Sequence, residues 1–296
     1  MEKHTSVLLR EAVDALAIKP DGIYVDATLG AHGHGDVIVA SLSERGTYIG
    51  IDADPEAIAK AQAELHGKPT IILRKGNFRD IDSIVEQVGI QEVDGVCADL
   101  GWRMEQFSGN GKGFSFLVDE PLIMTYGEPE SYPFTAFDIV NEWDEENIVS
   151  ILTGYGEERY ARRIARGIVE ARTSKPIRTT GELARVIESN VPLYYRKGKI
   201  NPSTRTFHAL RITVNDELGA LEELLAKSLA LLKKGGRLAL ITFHSLEDRV
   251  VKHTFRAYVA DGRGTLVNKR PVTPTREEVV KNRRARSAKL RILEKT

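Results

Sequence analysis

The fold is decided by one stretch, GIYVDATLGAHGHGDVIVASLSERGTYIGID, which spans Gly22–Asp52. Within it, Ile23–Thr28 is a short run with several β-branched residues, as expected of a buried strand. From Asp36 the spacing of apolar residues becomes helical, and Thr47–Ile51 is a second apolar run of strand length. Strand, loop, helix and strand in this order predict one unit of a parallel α/β sheet.

The loop between the first strand and the helix contains three glycines, Gly30, Gly33 and Gly35. We expect them to let the backbone approach a ligand that a Cβ atom would keep away. Asp52 follows the second strand about 20 residues beyond the loop, where nucleotide-binding units place the acid that holds ribose hydroxyls. The spacing G-x-x-G-x-G differs from the dinucleotide pattern G-x-G-x-x-G, and this difference disfavours a nicotinamide enzyme. A tight turn that binds no ligand remains an alternative interpretation of the loop.

Length and composition describe a globular chain with room for two compact parts. The chain has 296 residues, of which 42% are hydrophobic and 28% charged, values that exclude global disorder. No run approaches the roughly 18 apolar residues of a membrane span, and the N-terminus lacks the pattern of a secretory signal, so we expect a cytoplasmic protein with no membrane partner. The single cysteine, Cys97, lies in an apolar run and is expected to pack in the core.

Strands and helices alternate up to Gly101, which is the pattern of a doubly wound α/β fold with a mostly parallel sheet. Asp99 ends the last of these strands, so we expect it on the same edge of the sheet as the glycine loop and Asp52. The other predicted elements are a helix near Ser6–Leu16, a helix over Pro55–Leu65, a strand over Thr70–Leu73, a helix that ends near Val88, and the strand Val93–Asp99 itself.

After Gly101 the pattern changes, because a polar, glycine-rich segment follows and no strand of comparable length is predicted before Arg237. We predict that residues 105–200 form an inserted, mainly helical domain, while residues 1–104 and 201–296 form the ligand-binding domain. Helical periodicity is found over Glu145–Leu152, Glu157–Ala171 and Thr180–Ser189, and an aromatic and basic loop covers Tyr194–Lys199.

One long helix is predicted to return the chain to the sheet, with Asn201 as its N-cap and Lys234 near its end. Its apolar residues are spaced by three or four and are expected to form one stripe that faces the core: Phe207, Leu210, Val214, Leu218, Leu221 and Leu225. A fifth strand over Arg237–Thr242 follows. Ser245 and Asp248 come directly after it and resemble a helix cap, and His244 lies at the ligand edge.

Charge is balanced overall, with 42 basic and 42 acidic residues, so net charge does not indicate a nucleic-acid partner. The arginines are nevertheless clustered. Arg162, Arg163 and Arg166 lie close together in one predicted helix, and a second cluster lies near the C-terminus. Such clusters can neutralise phosphates, although a solvated helix face is an equally good interpretation of either one.

Seven strings occur in an order that resembles the RsmH (also called MraW) family over nearly the whole chain. They are His4–Leu9 (HTSVLL), Asp26–Gly30 (DATLG), Gly113–Phe116 (GFSF), Tyr155–Arg159 (YGEER), Asn201–Phe207 (NPSTRTF), Phe243–Arg249 (FHSLEDR) and Arg284–Arg291 (RARSAKLR). The resemblance implies a class I methyltransferase, Rossmann-like fold. It also implies S-adenosyl-L-methionine-dependent methylation of the N4 atom of a cytidine in the decoding region of bacterial 16S rRNA, with small-subunit rRNA or the assembled subunit as partner.

By resemblance, the cofactor site comprises His32, Gly33, His34, Asp52, Phe78, Asp99 and Gln106. A hydrogen-bond acceptor must orient the cytosine amine and stabilise the charge that develops on its nitrogen, so the catalytic candidates are Asp99, Asn215 and His244. The substrate-binding candidates are Arg162, Arg163, Arg166, Arg205 and Arg211. No metal site is predicted, and the target base must be unpaired or flipped out.

The chain also departs from the family. His32 replaces one of the loop glycines, Trp102-Arg103-Met104 replaces Val-Ser-Ser, and Ile123 and Thr125 stand where the family has Asp and Arg. These departures leave two alternatives open. One is a methyltransferase that acts on a different amine, in DNA or protein; the other is a non-catalytic RNA-binding assembly factor that keeps the cofactor site.

Overall fold

The computed structural model describes residues 6–101 and 111–296. The chain divides into two compact units. The first unit comprises Met1–Gly101 and Leu218–Thr296, and the inserted unit comprises Trp102–Glu217. Among the described residues, no helix combines the length and apolarity needed to cross a bilayer.

Among the described residues, the first unit is built on a sheet of seven strands: β1 Ile23–Asp26, β2 Thr47–Asp52, β3 Thr70–Lys75, β4 Val93–Asp99, β5 Leu232–Thr242, β6 Gly264–Leu266 and β7 Lys289–Lys295. Their order in the sheet is β3-β2-β1-β4-β5-β7-β6. Strands β1 to β5 are parallel, and β7 runs antiparallel to both β5 and β6. The predicted doubly wound, mostly parallel fold is therefore confirmed. Because the chain moves outward from β1 to β3 and then returns to β4, the strand order reverses between β1 and β4, which is where open α/β sheets bind ligands.

Helices cover both faces of this sheet. Alternate strand residues face opposite sides, so Val25 and Val96 belong to one hydrophobic cluster, while Tyr24 and Cys97 belong to another. Cys97 is buried, as expected. The helices of this unit are α1 Leu9–Ala15, α2 Gly33–Ser41, α3 Pro55–Glu64, α4 Ile81–Gln87, α11 Glu217–Leu231, α12 Ser245–Ala260 and α13 Arg276–Lys281.

The inserted unit is helical over most of its described length and has its own hydrophobic core. Its helices are α5 Ala136–Glu142, α6 Glu145–Gly154, α7 Ala161–Ser174, α8 Thr180–Ser189, α9 Leu193–Arg196 and α10 Ser203–Asn215. Helix α7 begins later than the sequence predicted. Glu157 has a positive φ of 47° and the Glu158 N–H donates to Leu152 O, so the chain turns there instead of continuing as a helix.

The prediction of one long helix from Asn201 to Lys234 is wrong. Asp216 adopts a left-handed conformation, with φ 46° and ψ 45°, and separates α10 from α11. The predicted stripe is divided accordingly: Phe207 and Leu210 pack in the core of the inserted unit, whereas Leu221 packs in the first unit. The contacts thus place α10 in the inserted unit, where the sequence prediction had assigned residues from 201 onward to the ligand-binding domain.

Candidate active site

The glycine loop after β1 is held by the end of β2. The Leu29 N–H donates to Ile51 O at 2.9 Å, and the Gly30 N–H donates to Oδ2 of Asp52 at 2.7 Å. Gly30 has a positive φ of 54°, and among the described residues the one atom within 4 Å of its ideal Cβ position is Thr28 O, at 3.7 Å. The loop backbone is therefore open at Gly30, as expected for the approach of a ligand.

The Asp52 carboxylate is oriented by backbone donors on both of its oxygens. Oδ2 accepts from Gly30, and Oδ1 accepts from the Asp54 N–H at 2.9 Å. Each carboxylate oxygen has two lone pairs, so a carboxylate can accept from more than one donor at each oxygen. Asp54 in turn caps α3 through Glu56 N–H, which fixes the turn that carries Asp52.

The other two loop glycines make room for protein atoms. A Cβ atom at Gly33 would lie 2.1 Å from Oγ of Ser6, and one at Gly35 would lie 2.4 Å from the hydroxyl oxygen of Tyr48. The expectation that all three glycines serve ligand approach stays a prediction, and Gly33 and Gly35 also permit close internal packing under the loop.

His32 occupies a backbone position that favours glycine. Its φ is 53°, in the left-handed region, and this is the position where the family commonly has glycine. The imidazole is held at both nitrogens, by Asp36 at 3.1 Å and by Glu64 at 3.2 Å. Contacts with α2 and α3 thus offset the strain of a side chain at this position.

A buried polar network lies beneath the loop. Asp26, which is 2% exposed, accepts from the Thr28 N–H and from the Tyr48 hydroxyl at 3.2 and 3.1 Å. Burial raises the pKa of Asp26 to about 6. His34 is also buried; its Nε2 lies 3.2 Å from Val7 O, and burial lowers its pKa. Sequence reasoning had missed both residues: Asp26 lay inside the run predicted as strand to Thr28, although β1 ends at Asp26, and Tyr48 lies near the start of β2.

Asp99, at the end of β4, meets the loop directly. Its N–H donates to Oγ1 of Thr28 at 2.6 Å, its Oδ1 accepts from the Gly101 N–H at 3.0 Å, and its Oδ2 lies 4.0 Å from Nδ1 of His34. Burial raises the pKa of Asp99 to about 7, and the Gly101 N–H opposes the shift while Glu247 adds to it. The structure thus brings together the glycine loop, Asp52 and Asp99 on adjacent strands, as the sequence analysis expected.

The end of β5 forms the next part of this edge. A Cβ atom at Gly101 would lie 2.7 Å from the ring of Phe243, so the absence of a side chain at Gly101 is needed for this close packing. Phe78 begins a 3-10 turn after β3 and is half-buried against the core of the first unit. Gln106 lies outside the described residues, so its predicted cofactor contact stays a prediction.

His244, rather than Ser245, caps α12. The Glu247 N–H donates to Nδ1 of His244 at 3.4 Å, and Oε2 of Glu247 accepts from the N–H groups of Phe243 and His244. Nε2 of His244 also lies 3.1 Å from Oε1 of Glu247. Asp248, the other residue of the predicted cap, instead contacts Lys289 at 2.8 Å and Arg291 at 2.7 Å. The predicted Ser245–Asp248 cap is therefore wrong, because the N-cap lies one residue earlier, at His244.

In the inserted unit, Asn215 fastens the segment that carries the two family departures. Its amide donates to Met124 O at 2.7 Å and to Arg211 O at 2.9 Å, and its Oδ1 accepts from the Tyr126 N–H at 2.9 Å. These bonds engage the whole amide, so they favour a positioning role over direct contact with a substrate amine.

Arg211 and Arg205 both have protein partners in the inserted unit. Arg211 forms two hydrogen bonds with the buried Glu217, at 2.7 and 3.0 Å, and Glu217 also accepts from the Tyr126 hydroxyl at 2.6 Å. Arg205 donates to the Tyr195 hydroxyl at 3.2 Å. Arg162, Arg163 and Arg166 are exposed on α7. Substrate contact by these arginines stays a prediction.

The model of the MraW methylase family matches residues 1–296. The chain belongs to this family. Its relatives include proteins named ribosomal RNA small subunit methyltransferase H from Paenibacillus sp. (strain JDR-2), 44% identical over 317 residues with 100% of both chains covered, and from Clostridium botulinum (strain Loch Maree / Type A3), 43% identical over 309 residues with 99% of both covered. A relative of the same name from Clostridioides difficile (strain 630) is 40% identical and covers 99% of this chain and 98% of its own.

The cofactor of this methylase family is S-adenosyl-L-methionine, and the residues present fit it. Asp52 offers an oriented carboxylate to ribose hydroxyls, the loop backbone is open at Gly30, and Asp99 lies on the neighbouring strand at the point where strand order reverses. The predicted fold and cofactor are therefore confirmed. The assignments of individual residues to the cofactor stay predictions.

Proposed function

We propose that the protein transfers a methyl group from S-adenosyl-L-methionine to the N4 atom of a cytidine in small-subunit ribosomal RNA. The match of the methylase family model to residues 1–296 is the observation that carries this proposal. The names of the relatives supply the RNA class, and the resemblance of the seven sequence strings supplies the atom that is methylated. A ribosomal substrate also agrees with the cytoplasmic location expected from the sequence.

The geometry favours Asp99 among the three catalytic candidates. A cytosine amine carries two N–H donors, and its lone pair is delocalised into the ring, so an acceptor must hold the amine in a reactive orientation. The amide of Asn215 is engaged with backbone groups, and both imidazole nitrogens of His244 lie close to Glu247. The Asp99 carboxyl group is partly exposed, with 20% of its side chain accessible, and lies at the edge of the sheet beside the glycine loop.

Asp99 can also take the proton that the amine must lose. When bound, the cofactor supplies an electrophilic methyl group on a positively charged sulfur. Nitrogen becomes positively charged as it bonds to the methyl carbon while the methyl–sulfur bond breaks and leaves a neutral thioether, and the loss of one N–H proton restores the neutrality of the nitrogen. Since the pKa of Asp99 is raised to about 7, its ionised form is present at neutral pH and is a strong enough base to accept that proton at a carboxylate oxygen.

The test is a methyl-transfer assay with purified protein and labelled S-adenosyl-L-methionine. The substrates are naked 16S rRNA and assembled small subunits, both from a strain that lacks the enzyme, followed by nuclease digestion and mass spectrometry. We expect N4-methylcytidine at one position, and the two substrates will show whether free RNA or the assembled subunit is used. Label on another base or on protein would favour a methyltransferase of a different amine.

A second candidate, an RNA-binding assembly factor without catalysis, is favoured by the changed pocket segment. Thr125 is fully buried and donates to Gly127 O at 3.0 Å, so this segment packs without the arginine that the family has there. Cofactor binding with no transfer to any RNA or subunit would support this candidate. The double substitution Ile123→Asp and Thr125→Arg would then show whether these two departures are the cause.

A further inference from the structure

Three tyrosines and two arginines form a connected cluster in the inserted unit. We call it the Tyr160 cluster, and it comprises Arg159, Tyr160, Arg163, Tyr194 and Tyr195. The rings of Tyr160 and Tyr195 meet edge to face with centroids 4.9 Å apart, and the hydroxyl groups of Tyr160 and Tyr194 form a hydrogen bond. The Arg159 guanidinium lies 4.7 Å from the Tyr195 ring centroid and 5.3 Å from that of Tyr160, and the Arg163 guanidinium lies 6.0 Å from the Tyr160 ring.

The inner side of the Tyr160 cluster is rigidly held. Glu158, which is 2% exposed, accepts from the Tyr195 hydroxyl at 2.6 Å and from the Tyr160 N–H at 2.8 Å. Arg205 donates to the same Tyr195 hydroxyl at 3.2 Å. Arg205 is therefore a positioning residue for Tyr195, and the cluster is organised before any partner arrives.

The outer side of the cluster is exposed and strongly basic. Tyr194 is 65% exposed, and its neighbour Leu193 is 61% exposed. The nearby exposed cations in the sequence are Arg162, Arg166, Arg196, Lys197 and Lys199. Among the residues that the structure describes, Arg166 of this group forms an ion pair with Glu145, at the long distance of 3.8 Å. Exposed cations beside a fixed aromatic surface suit a partner that has both flat rings and negative charge.

We propose that the Tyr160 cluster is a stacking platform for an unpaired nucleotide of the RNA substrate, with Tyr194 in contact with the base and the surrounding arginines in contact with the phosphates on either side. Single-stranded RNA is recognised by stacking of its exposed bases on aromatic and arginine side chains together with cationic contacts to its backbone. The platform rests on the proposed function in one respect, since it takes RNA as the partner. It places the RNA contact on residues outside the methyl-transfer site.

The decisive comparison is between two substitutions of the most exposed ring. Tyr194→Ala removes the stacking surface, whereas Tyr194→Phe keeps the ring and removes the hydroxyl. Affinity is measured by fluorescence anisotropy with a labelled single-stranded RNA oligonucleotide and with a duplex of the same composition, at one salt concentration. We expect Tyr194→Ala to weaken single-strand binding about tenfold and to leave duplex binding nearly unchanged, while Tyr194→Phe stays close to wild type.

Val280→Ala is the matched control, because Val280 is 74% exposed on α13 in the first unit and its loss removes exposed apolar surface elsewhere. Circular dichroism establishes that each variant is folded. The platform is refuted by unchanged single-strand affinity of Tyr194→Ala, or by an equal loss in Tyr194→Phe. Impaired binding of assembled subunits with unchanged binding of naked RNA would assign the surface to a protein partner and also overturn the proposal.

The proposed function is tested separately by methyl transfer with the wild-type protein. If the wild type binds RNA through Tyr194 but transfers no methyl group, the proposed function fails and the platform stands. If transfer occurs and Tyr194→Ala binds RNA like the wild type, the platform fails and the proposed function stands.

Discussion

At the scale of single residues, Asp52 is the best-defined contact for the cofactor. Its two oxygens are already fixed by the backbone N–H groups of Gly30 and Asp54, so its orientation does not depend on a ligand. Hydrogen bonds to a charged group contribute about 1.5–3 kcal/mol each. We predict that Asp52→Ala lowers the affinity for S-adenosyl-L-methionine at least tenfold, measured by isothermal titration calorimetry.

Asp54→Ala is the matched control for this prediction. It removes the N-cap of α3 and should reduce the free energy of unfolding by about 1 kcal/mol, but it leaves the Asp52 carboxylate in place. Its cofactor affinity should therefore remain near that of the wild type. A folded Asp52→Ala variant with wild-type affinity would show that Asp52 does not hold the ribose.

The raised pKa of Asp99 predicts a pH dependence of catalysis. If the ionised carboxyl group orients the amine and accepts its proton, kcat at saturating cofactor should rise with pH through about 7, because deprotonation creates the active form. Asp99→Asn should be slow and should lack this rise. Asp26→Asn is the control, since it removes the other carboxyl group with a raised pKa and should keep the rise near pH 7. A wild-type profile that is flat between about pH 6 and 8.5 would contradict the assignment.

The same shift has a consequence for stability that does not depend on activity. The pKa of Asp99 is higher in the folded protein than its usual value of 3.8, so the folded state binds the proton more tightly than the unfolded chain. The stabilisation that the Asp99 proton contributes is fully present below pH 3.8 and is lost as pH rises through about 7. The melting temperature of Asp99→Asn, relative to wild type, should therefore increase between about pH 4 and 7 and change little above that range, as differential scanning fluorimetry can measure. A difference that does not change with pH would contradict this.

At the scale of elements, α7 separates a buried face from an arginine face. Ile164 and Ile168 lie in the core of the inserted unit, while Arg162, Arg163 and Arg166 point outward. If these arginines bind phosphates, replacing all three by alanine should weaken RNA binding and reduce the slope of log affinity against log salt by about 2. Cofactor affinity should be unchanged.

Lys175→Ala is the control for the α7 prediction. Its ammonium group contacts Glu182 at 2.8 Å, so it is already paired and should contribute little to phosphate neutralisation. An unchanged salt slope in the triple variant would identify the arginines as a solvated face, which is the alternative that the sequence left open.

At the scale of the whole molecule, the inserted unit is one continuous chain segment with its own core. Residues between positions 122 and 214 bury apolar side chains in this core, including Leu122, Ile139, Leu152, Ile164 and Leu183. We predict that a fragment of residues 102–217 folds alone, with a helical circular dichroism spectrum and a cooperative thermal transition. A fragment that ends at residue 200 lacks α10 and its core residues Phe207 and Leu210, and it should melt at a lower temperature or fail to fold. Equal stability of both fragments would support the boundary that the sequence predicted.

The sequence by itself determined the parts of this protein that depend on short-range patterns. Strand and helix periodicity predicted the parallel sheet, and the rule that ligands bind at the carboxyl ends of such strands selected the glycine loop, Asp52 and Asp99. The structure joins these residues through the Gly30–Asp52 and Asp99–Thr28 hydrogen bonds. Family membership, by contrast, came from ordered strings of residues rather than from periodicity.

Only the tertiary structure decided the features that depend on contacts between distant residues. Tyr126 and Glu217 are 91 positions apart, so no local pattern could indicate their hydrogen bond. The apolar spacing runs through Asp216 without interruption, yet the helix ends there. The reason is that α10 and α11 pack in different cores. The spacing of apolar residues along the chain cannot show which core each residue joins. Likewise, the sequence predicted ligand-facing positions at Gly33 and Gly35, and only the tertiary structure shows that Ser6 and Tyr48 occupy the space beside them. Local propensity is encoded residue by residue, whereas these contacts arise from close packing of segments brought together by the fold.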